Sequence, residues 1–187
     1  MIYLIRHAEK LDNSVHSKLT EKGLKDSFLY GKKIKDNNVK IDLIISSPIE
    51  RCLQTAQEIS NGYGGIQIEE STLLGNPGIF VNDGDKAMEI FNQYRLLDII
   101  NMQLSEQPLA GFNDIKIATQ KLIQFMEKRD INIMYISHDA IITPFISYIL
   151  NSKKIKKNDI VKYLCGYINN TKILSKSWIE QDDFIYN

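Results

Sequence analysis

Met1-Ile2-Tyr3-Leu4-Ile5-Arg6-His7-Ala8-Glu9-Lys10 opens the chain. Met1 to Ile5 reads as a buried strand that runs straight into Arg6 and His7. A strand fixes the direction in which the next residues leave the sheet, so a guanidinium and an imidazole are delivered side by side at its carboxyl end. In open α/β sheets that is where ligands bind. Far downstream, Ile131-Asn132-Ile133-Met134-Tyr135-Ile136-Ser137-His138-Asp139 has the same form. Two strands that each end in a histidine can place both in one crevice.

Between these two stretches the pattern alternates strand and helix. Lys10 to Lys18 is polar and predicts a loop. Thr20 is a good N-cap, with Glu21 in the first turn, and Leu24, Phe28, Leu29 and Ile34 give helical spacing to about Lys35. Ile41–Ile45 predicts a second strand, stopped by Ser46-Ser47-Pro48. A helix then runs from Pro48 to Ser60, with Leu53, Ala56 and Ile59 inside. Ile66–Glu70 predicts a short strand, and Ser71 to Gly84 a loop. From Asp85 one helical stretch carries Ala87, Met88, Phe91, Tyr94, Leu97 and Ile99 or Ile100 on a shared face. Asn113 or Asp114 caps a helix carrying Ile117, Leu122, Phe125 and Met126. The Ile131–Ser137 strand and a helix from about Asp139 to Leu150 come next. Ile160 to Tyr163 is helical or irregular, and Thr171 to Ile179 predicts a strand. This alternation implies a three-layer α/β/α sandwich around a mostly parallel sheet.

Bulk properties narrow the function classes. A chain of 187 residues fits a single domain over 1–187 and holds a proper core without disulfides or metals. The formal net charge is zero, which argues against an obligatory nucleic-acid partner. No apolar run reaches the roughly 18 residues of a membrane span, so no membrane partner is expected. The N-terminus lacks the pattern of a signal peptide, and Cys52 and Cys165 have no metal-ligand or redox spacing. The expectation is a cytoplasmic protein with two reduced thiols. The lysines between Lys153 and Lys157 read as a solvated turn. Trp178 reads as core or rim.

Arg6, His7, Arg51 and His138 all fall at the ends of predicted strands or just inside the following helix. Arginine offers a fixed fork of donors that matches phosphate oxygens. A neutral imidazole held by a second group can attack phosphorus, and developing charge on the equatorial oxygens then needs fixed cations. These residue types suit phosphoryl transfer without a metal.

Leu4-Ile5-Arg6-His7-Ala8-Glu9 resembles the Arg-His-Gly signature of the histidine phosphatase superfamily, which includes the cofactor-dependent phosphoglycerate mutases. Leu19-Thr20-x-x-Gly23 is similar to the family's helix start. Ser46-Ser47-Pro48-Ile49-Glu50-Arg51-Cys52-Leu53-Gln54-Thr55-Ala56 is similar to its Ser-Ser-x-x-x-Arg-x-x-Gln-Thr-Ala element, and Ser137-His138-Asp139 to its second-histidine strand end. The matches occur in family order over residues 2 to about 146. The resemblance implies a phosphoglycerate mutase-like fold and a phosphatase acting on a small phosphorylated substrate or a phosphoprotein, with no cofactor and no metal. It implies that His7 is the nucleophile, that Arg6 and Arg51 clamp the phosphoryl oxygens, and that His138 donates a further hydrogen bond. Asn13 falls where many mutase-branch members contact substrate. His16 matches nothing in the pattern and reads as a solvated loop residue.

Two departures stand out. Ala8 replaces the signature glycine. The mutase-type glutamate that protonates the leaving group is missing from Leu73-Leu74-Gly75-Asn76-Pro77-Gly78-Ile79-Phe80. The acid phosphatase branch uses an Asp directly after the second His, which favours Asp139, also a natural helix cap. Glu9, Glu70, Asp83, Asp85, or no acid at all, remain as alternatives. A phosphoglycerate mutase and a non-catalytic phosphate-binding regulatory module are the rival functions.

Overall fold

The computed structural model describes residues 1–169 and 172–174. The strands are β1 (Ile2–Arg6), β2 (Leu43–Ser46), β3 (Ile68–Glu70), β4 (Ile133–Ser137), β5 (Gly166–Ile168) and β6 (Lys172–Leu174). They form one sheet in the order β3-β2-β4-β1-β5-β6. The first four are mutually parallel, and β5 and β6 close the β1 side antiparallel. The expected mostly parallel sheet is what the chain forms.

Parallel strands are covered on both faces, which is why β1, β2 and β4 are runs of apolar residues rather than alternating ones. Successive side chains serve opposite cores. Leu4, Leu43, Ile45, Ile133 and Tyr135 point to one; Tyr3, Ile5, Ile44, Met134 and Ile136 point to the other. The helices are α1 (Glu21–Asp36), α2 (Glu50–Tyr63), α3 (Gly84–Gln93), α4 (Leu96–Leu104), α5 (Ile115–Met126) and α6 (Asp139–Ile149). Residues of α1 and α2 fill the second core and those of α4, α5 and α6 the first, so the three layers are as expected. Among the described residues no helix is long and apolar enough to cross a membrane.

Capping agrees with the sequence. Thr20 Oγ1 accepts the Gly23 N–H at 2.9 Å, and Asp114 Oδ1 accepts that of Ile117 at 3.0 Å. At α6, however, His138 holds the N-cap position without a side-chain cap. Asp139 is the first helical residue, and its Oδ1 accepts the Ala140 N–H at 2.9 Å.

Several helix faces differ from the expectation. On α1 the buried residues are Gly23, Ser27, Tyr30, Gly31 and Ile34, whereas Phe28 and Leu29 are 42% and 37% exposed. The reason is the approach of α2. A Cβ on Gly31 would collide with the Ile59 carbonyl, and one on Gly62 with the Phe28 carbonyl. Backbones this close leave room only for small residues, so the apolar side chains of α1 lie off the contact. On α5, Ile117 is 49% exposed, and Ile115, Ala118, Thr119, Leu122 and Met126 face inward. The single helical stretch from Asp85 is two helices, broken where Tyr94 and Arg95 adopt extended backbone. Ala87 of α3 packs with Val81, Phe112 and Ile99 of α4, while Ile100 and Leu104 of α4 belong to the main core. Ile160 to Tyr163 is irregular. Of the strand expected over Thr171–Ile179, Lys172–Leu174 is observed; the remainder and Trp178 lie outside the described residues.

The topology converges three strand ends. β4 lies between β2 and β1, with Ser137 opposite Arg6 and Ile136 opposite Ser46. Just past the register, His7 N–H donates to Ser137 O and Ser47 N–H to Ile136 O, each at 3.0 Å. In an open helix Gly→Ala stabilises by about 1 kcal/mol. Because Gly31 faces the Ile59 carbonyl, Gly31→Ala should instead destabilise by about 1–3 kcal/mol, the usual scale of overpacking. Urea unfolding of the variant measures the sign, and a gain in stability would mean that the helices part freely.

Candidate active site

The site is built on those three strand ends. His7 is 1% and His138 6% exposed, with ring centroids 5.5 Å apart. His7 Nδ1 lies 2.7 Å from Ala8 O. A carbonyl can only accept, so Nδ1 carries the proton and Nε2 keeps its lone pair. That lone pair accepts Arg51 Nε–H at 3.2 Å. Arg51 NH2 also reaches His138 Nδ1 at 3.2 Å. A guanidinium can only donate, so His138 carries its proton on Nε2, which lies 3.1 Å from Ser47 Oγ. One guanidinium thus fixes both tautomers. Arg51 NH1 additionally donates to Val15 O at 2.9 Å, tying the site to the 10–18 loop.

The electrostatics agree with this pattern. Burial, followed by the charges of Arg6 and Arg51, pushes His7 down to about 3 against the raising effect of its bond to Ala8. Burial, then Arg51, holds His138 well below the usual imidazole range. Both rings are therefore neutral near neutral pH. Cys52 lies 3.6 Å from His138 Nε2, and burial raises its thiol to about 12. It is packing, not a nucleophile. Both cysteines are free and buried.

Arg6 is fixed from three sides. NH1 donates to Val161 O at 2.7 Å, NH2 meets Asp139 Oδ2 at 2.7 Å, and the guanidinium stacks on Tyr163 with its carbon 4.2 Å from the ring centroid. Its Nε–H is buried with no partner among the described residues. Such an orphan donor costs about 1–3 kcal/mol, and an anion's oxygen would satisfy it.

Motif residues that looked like sequence markers turn out to brace this geometry. Thr55 Oγ1 accepts the Ala8 N–H at 3.1 Å, and Gln54 Oε1 accepts that of Leu19 at 2.8 Å. A Cβ on Gly23 would collide with the Glu9 carbonyl, so the helix start can pass under Glu9 only as glycine.

A cavity of about 700 Å³ opens over the site, lined by Lys10, Asn13, Arg51, His138 and Asp139 on one side and by residues of α3, α4 and their junction on the other. Asn13 is among the residues that line the cavity. His16 is exposed and outside the lining. Gly75 and Asn76 line the cavity from the stretch that lacks the mutase-type glutamate, and neither titrates. Among the described residues Asp139 is the one carboxylate in the lining. Its two oxygens accept from Arg6 and Ala140. The other candidate acids lie elsewhere: Glu9 faces Lys22 at 3.6 Å, Asp83 caps α3, and Glu70 and Asp85 are exposed. No cluster of three or more His, Cys, Asp or Glu among the described residues is placed to hold a metal. Sequence reasoning passed over Lys10, placed in a polar loop, and Tyr163 and Val161, which reach Arg6 from the far end of the chain without any local signal.

Two guanidiniums and two neutral imidazoles gather at the carboxyl ends of parallel strands, a donor set suited to a tetrahedral anion. The family model of the histidine phosphatase superfamily (branch 1) matches residues 2–167, and the chain belongs to that family. No curated protein matches the sequence. Among solved structures, the α-ribazole phosphatase of Shigella flexneri is similar at 17% identity, covering 94% of this chain and 96% of that one, with a TM-score of 0.57. A phosphoserine phosphatase variant from Entamoeba histolytica, solved with phosphoserine, is 22% identical over 81% of this chain and 80% of its own, with a TM-score of 0.55. The protein histidine phosphatase SixA, solved with tungstate, is 16% identical over 78% and 74%, with a TM-score of 0.50. The shared fold is phosphoglycerate mutase-like.

Neutral buried imidazoles make stability fall in acid. The folded values of His7 and His138 lie below the unfolded one, about 6.5, so below that pH the unfolded chain binds more protons. Their contribution is fully present above about pH 6.5 and is lost as pH falls toward the folded value, about 3 for His7. The slope is up to about 1.4 kcal/mol per pH unit for each ring. Urea unfolding at pH 6.5, 5.5 and 5.0 should show a shallower decline for a His7→Gln/His138→Gln variant than for wild type. Parallel declines would mean that neither ring is held neutral.

Proposed function

We propose that the protein is a phosphatase that hydrolyses phosphomonoesters through a phosphohistidine on His7, with water as the final acceptor. The observation that carries this reading is the His7 tautomer: Nδ1–H committed to Ala8 O, and the Nε2 lone pair directed at Arg51. A phosphoryl group arriving at Arg51 meets that lone pair. Arg51 and Arg6 then take up its oxygens, including through the unpartnered Arg6 Nε–H, and stabilise the charge that develops in transfer. In this reading the phosphoryl oxygens draw the His138 ring away from Arg51 and Ser47, and its Nε2–H donates to one of them. Asn13 contacts the remainder of the substrate. A binding module would also keep this pocket without a free carboxyl group, and a mutase would return the phosphoryl group to substrate; release of inorganic phosphate separates the phosphatase from both.

The substrate is a small molecule in this reading. Met88, Phe91, Tyr94 and Leu96 line the cavity together with Asn92, Gln93 and Arg95, a mixed apolar and polar lining that suits a compact organic group. The free buried thiols are compatible with the cytoplasm.

Brief incubation with labelled substrate and a quench should trap acid-labile, base-stable label in wild type and none in His7→Ala. Label surviving in the variant would sink the assignment. Arg51→Ala should lower kcat by about 10²–10³-fold, the scale for a preorganised electrostatic donor; near-normal turnover would remove Arg51 from the reaction.

Asp139, favoured by the sequence as the acid, has a different role in this proposal. With one oxygen on Arg6 and the other on Ala140 N–H, it orients the guanidinium. Asp139→Asn should therefore slow an aryl and an alkyl phosphate by similar factors. A loss confined to the alkyl phosphate would restore Asp139 as the acid.

A further inference from the structure

The reaction needs a proton for a poor leaving group, and the cavity offers few. The His7 proton, on Nδ1, is donated to Ala8 O; the His138 proton, on Nε2, is donated to Ser47 Oγ in the free site and to a phosphoryl oxygen in the proposed complex. Both Asp139 oxygens are acceptors. Arginine does not release a proton in proteins. Tyr94 stands on the opposite wall with its side chain exposed, and Tyr163 lies against Arg6, outside the lining.

Lys10 is different. Its backbone is pinned by an antiparallel bridge to Leu19, three residues after His7, and its half-buried side chain lines the cavity with Arg51, His138 and Asp139. Among the described residues its ammonium has neither a hydrogen bond nor an ion pair. We propose that Lys10 is the proton donor to the leaving oxygen.

The surroundings suit the role. Burial lowers the proton affinity of Lys10 first, and the charges of Arg51 and Arg6 lower it further, against the raising effects of Asp139 and Asp12. The charges that act on it are those of Arg6 from β1, Arg51 from α2, Asp139 from the start of α6 and Asp12 from its own loop; Arg51, His138, Asp139, Tyr94 and Arg95 line the same cavity. A donor drawn down toward the working pH releases its proton more readily.

The cycle balances. His7 Nε2 bonds to phosphorus as the bond from phosphorus to the leaving oxygen breaks. That oxygen takes the electron pair and a proton from Lys10, and the alcohol leaves. Water then attacks phosphorus, Lys10 takes its proton, and the electron pair of the N–P bond returns to His7 as inorganic phosphate departs. The net change is ester plus water to alcohol plus phosphate, with the ammonium restored.

This role rests on the phosphohistidine reading, and the experiment separates the two. The full-length wild type, Lys10→Arg and Lys10→Met are compared on p-nitrophenyl phosphate and on ethyl phosphate. The aryl oxygen departs as an anion and the alkyl oxygen does not. Arginine keeps the charge but not the transferable proton. The ratio of ethyl to p-nitrophenyl kcat/KM should fall by about 10²–10⁴-fold in both variants, the usual scale of general acid catalysis. The wild-type decline in that ratio at alkaline pH should be absent from Lys10→Arg. An unchanged ratio in Lys10→Arg would overturn the proposal and leave Lys10 as a charge only. So would a wild type with no better ratio than the variants. Trapping on His7 with labelled p-nitrophenyl phosphate is run alongside. Label in all three proteins keeps the phosphohistidine reading whatever the ratios show, and its absence from wild type overturns that reading and this role with it.

Discussion

The Arg51 guanidinium, donating at once to His7 Nε2 and His138 Nδ1, is the contact on which the site depends. A guanidinium has five donors and no acceptor. Two imidazoles can satisfy it only if both present lone pairs, and a ring that presents a lone pair to a cation is neutral. Arg51 therefore imposes on both rings the state that burial already favours. The same N–H groups that hold the lone pairs are those a phosphoryl oxygen would compete for. Exchange of one acceptor for the other needs no cation to travel and no ring to change charge. Preorganisation of this kind is where fixed dipoles gain most over water.

The frame that makes this contact possible is set by strand order and by backbone proximity. Placing β4 between β1 and β2 brings Arg6, Ser47 and His138 to one level. α2, which carries Arg51, is drawn close to α1 at Gly31 and Gly62, and its Thr55 holds the Ala8 N–H. The position of Arg51 relative to His7 thus depends on a helix pair with almost no side chain between its backbones. Larger residues at those glycines would move the guanidinium as well as loosen the fold.

The sequence made the sheet legible because a buried parallel strand is an unbroken apolar run and its end is abrupt: Ile5 to Arg6, Ser137 to His138. It made the convergence of Arg6, His7, Arg51 and His138 legible for the same reason, since strand direction positions the residues just beyond the strand end. Helix faces were less legible. On α1 the rule that apolar residues face inward selected Phe28 and Leu29, yet the Ile59 carbonyl of α2 comes so close that the contact takes a glycine, Gly31. The break at Tyr94 and Arg95 carried no glycine or proline to announce it. Beyond it α4 reaches both the small cluster, through Ile99, and the main core, through Ile100 and Leu104. Contacts from Val161 and Tyr163 to Arg6 join residues more than 150 positions apart, beyond the reach of any local pattern.

The question of the acid shows how charge pairing constrains chemistry more than residue identity does. Asp139 is the residue that sequence alone would select, because it comes directly after the second histidine and begins a helix. Its neighbours support the proposed positioning role instead. A carboxylate shared between a guanidinium and a helix N–H accepts on both oxygens, an arrangement suited to aiming Arg6, whose Nε–H has no partner among the described residues. Once Asp139 is committed to Arg6, the site has more cations than anions: Arg51, Lys10 and Arg95 line the same cavity. That excess favours a dianionic phosphoryl group, and it also makes any ammonium in the cavity readier to give up a proton. Burial first, and then the Arg51 and Arg6 charges that would hold the substrate, lower the proton affinity of Lys10. In the proposed cycle recognition and proton delivery thus share cations, without a second carboxyl group in the site.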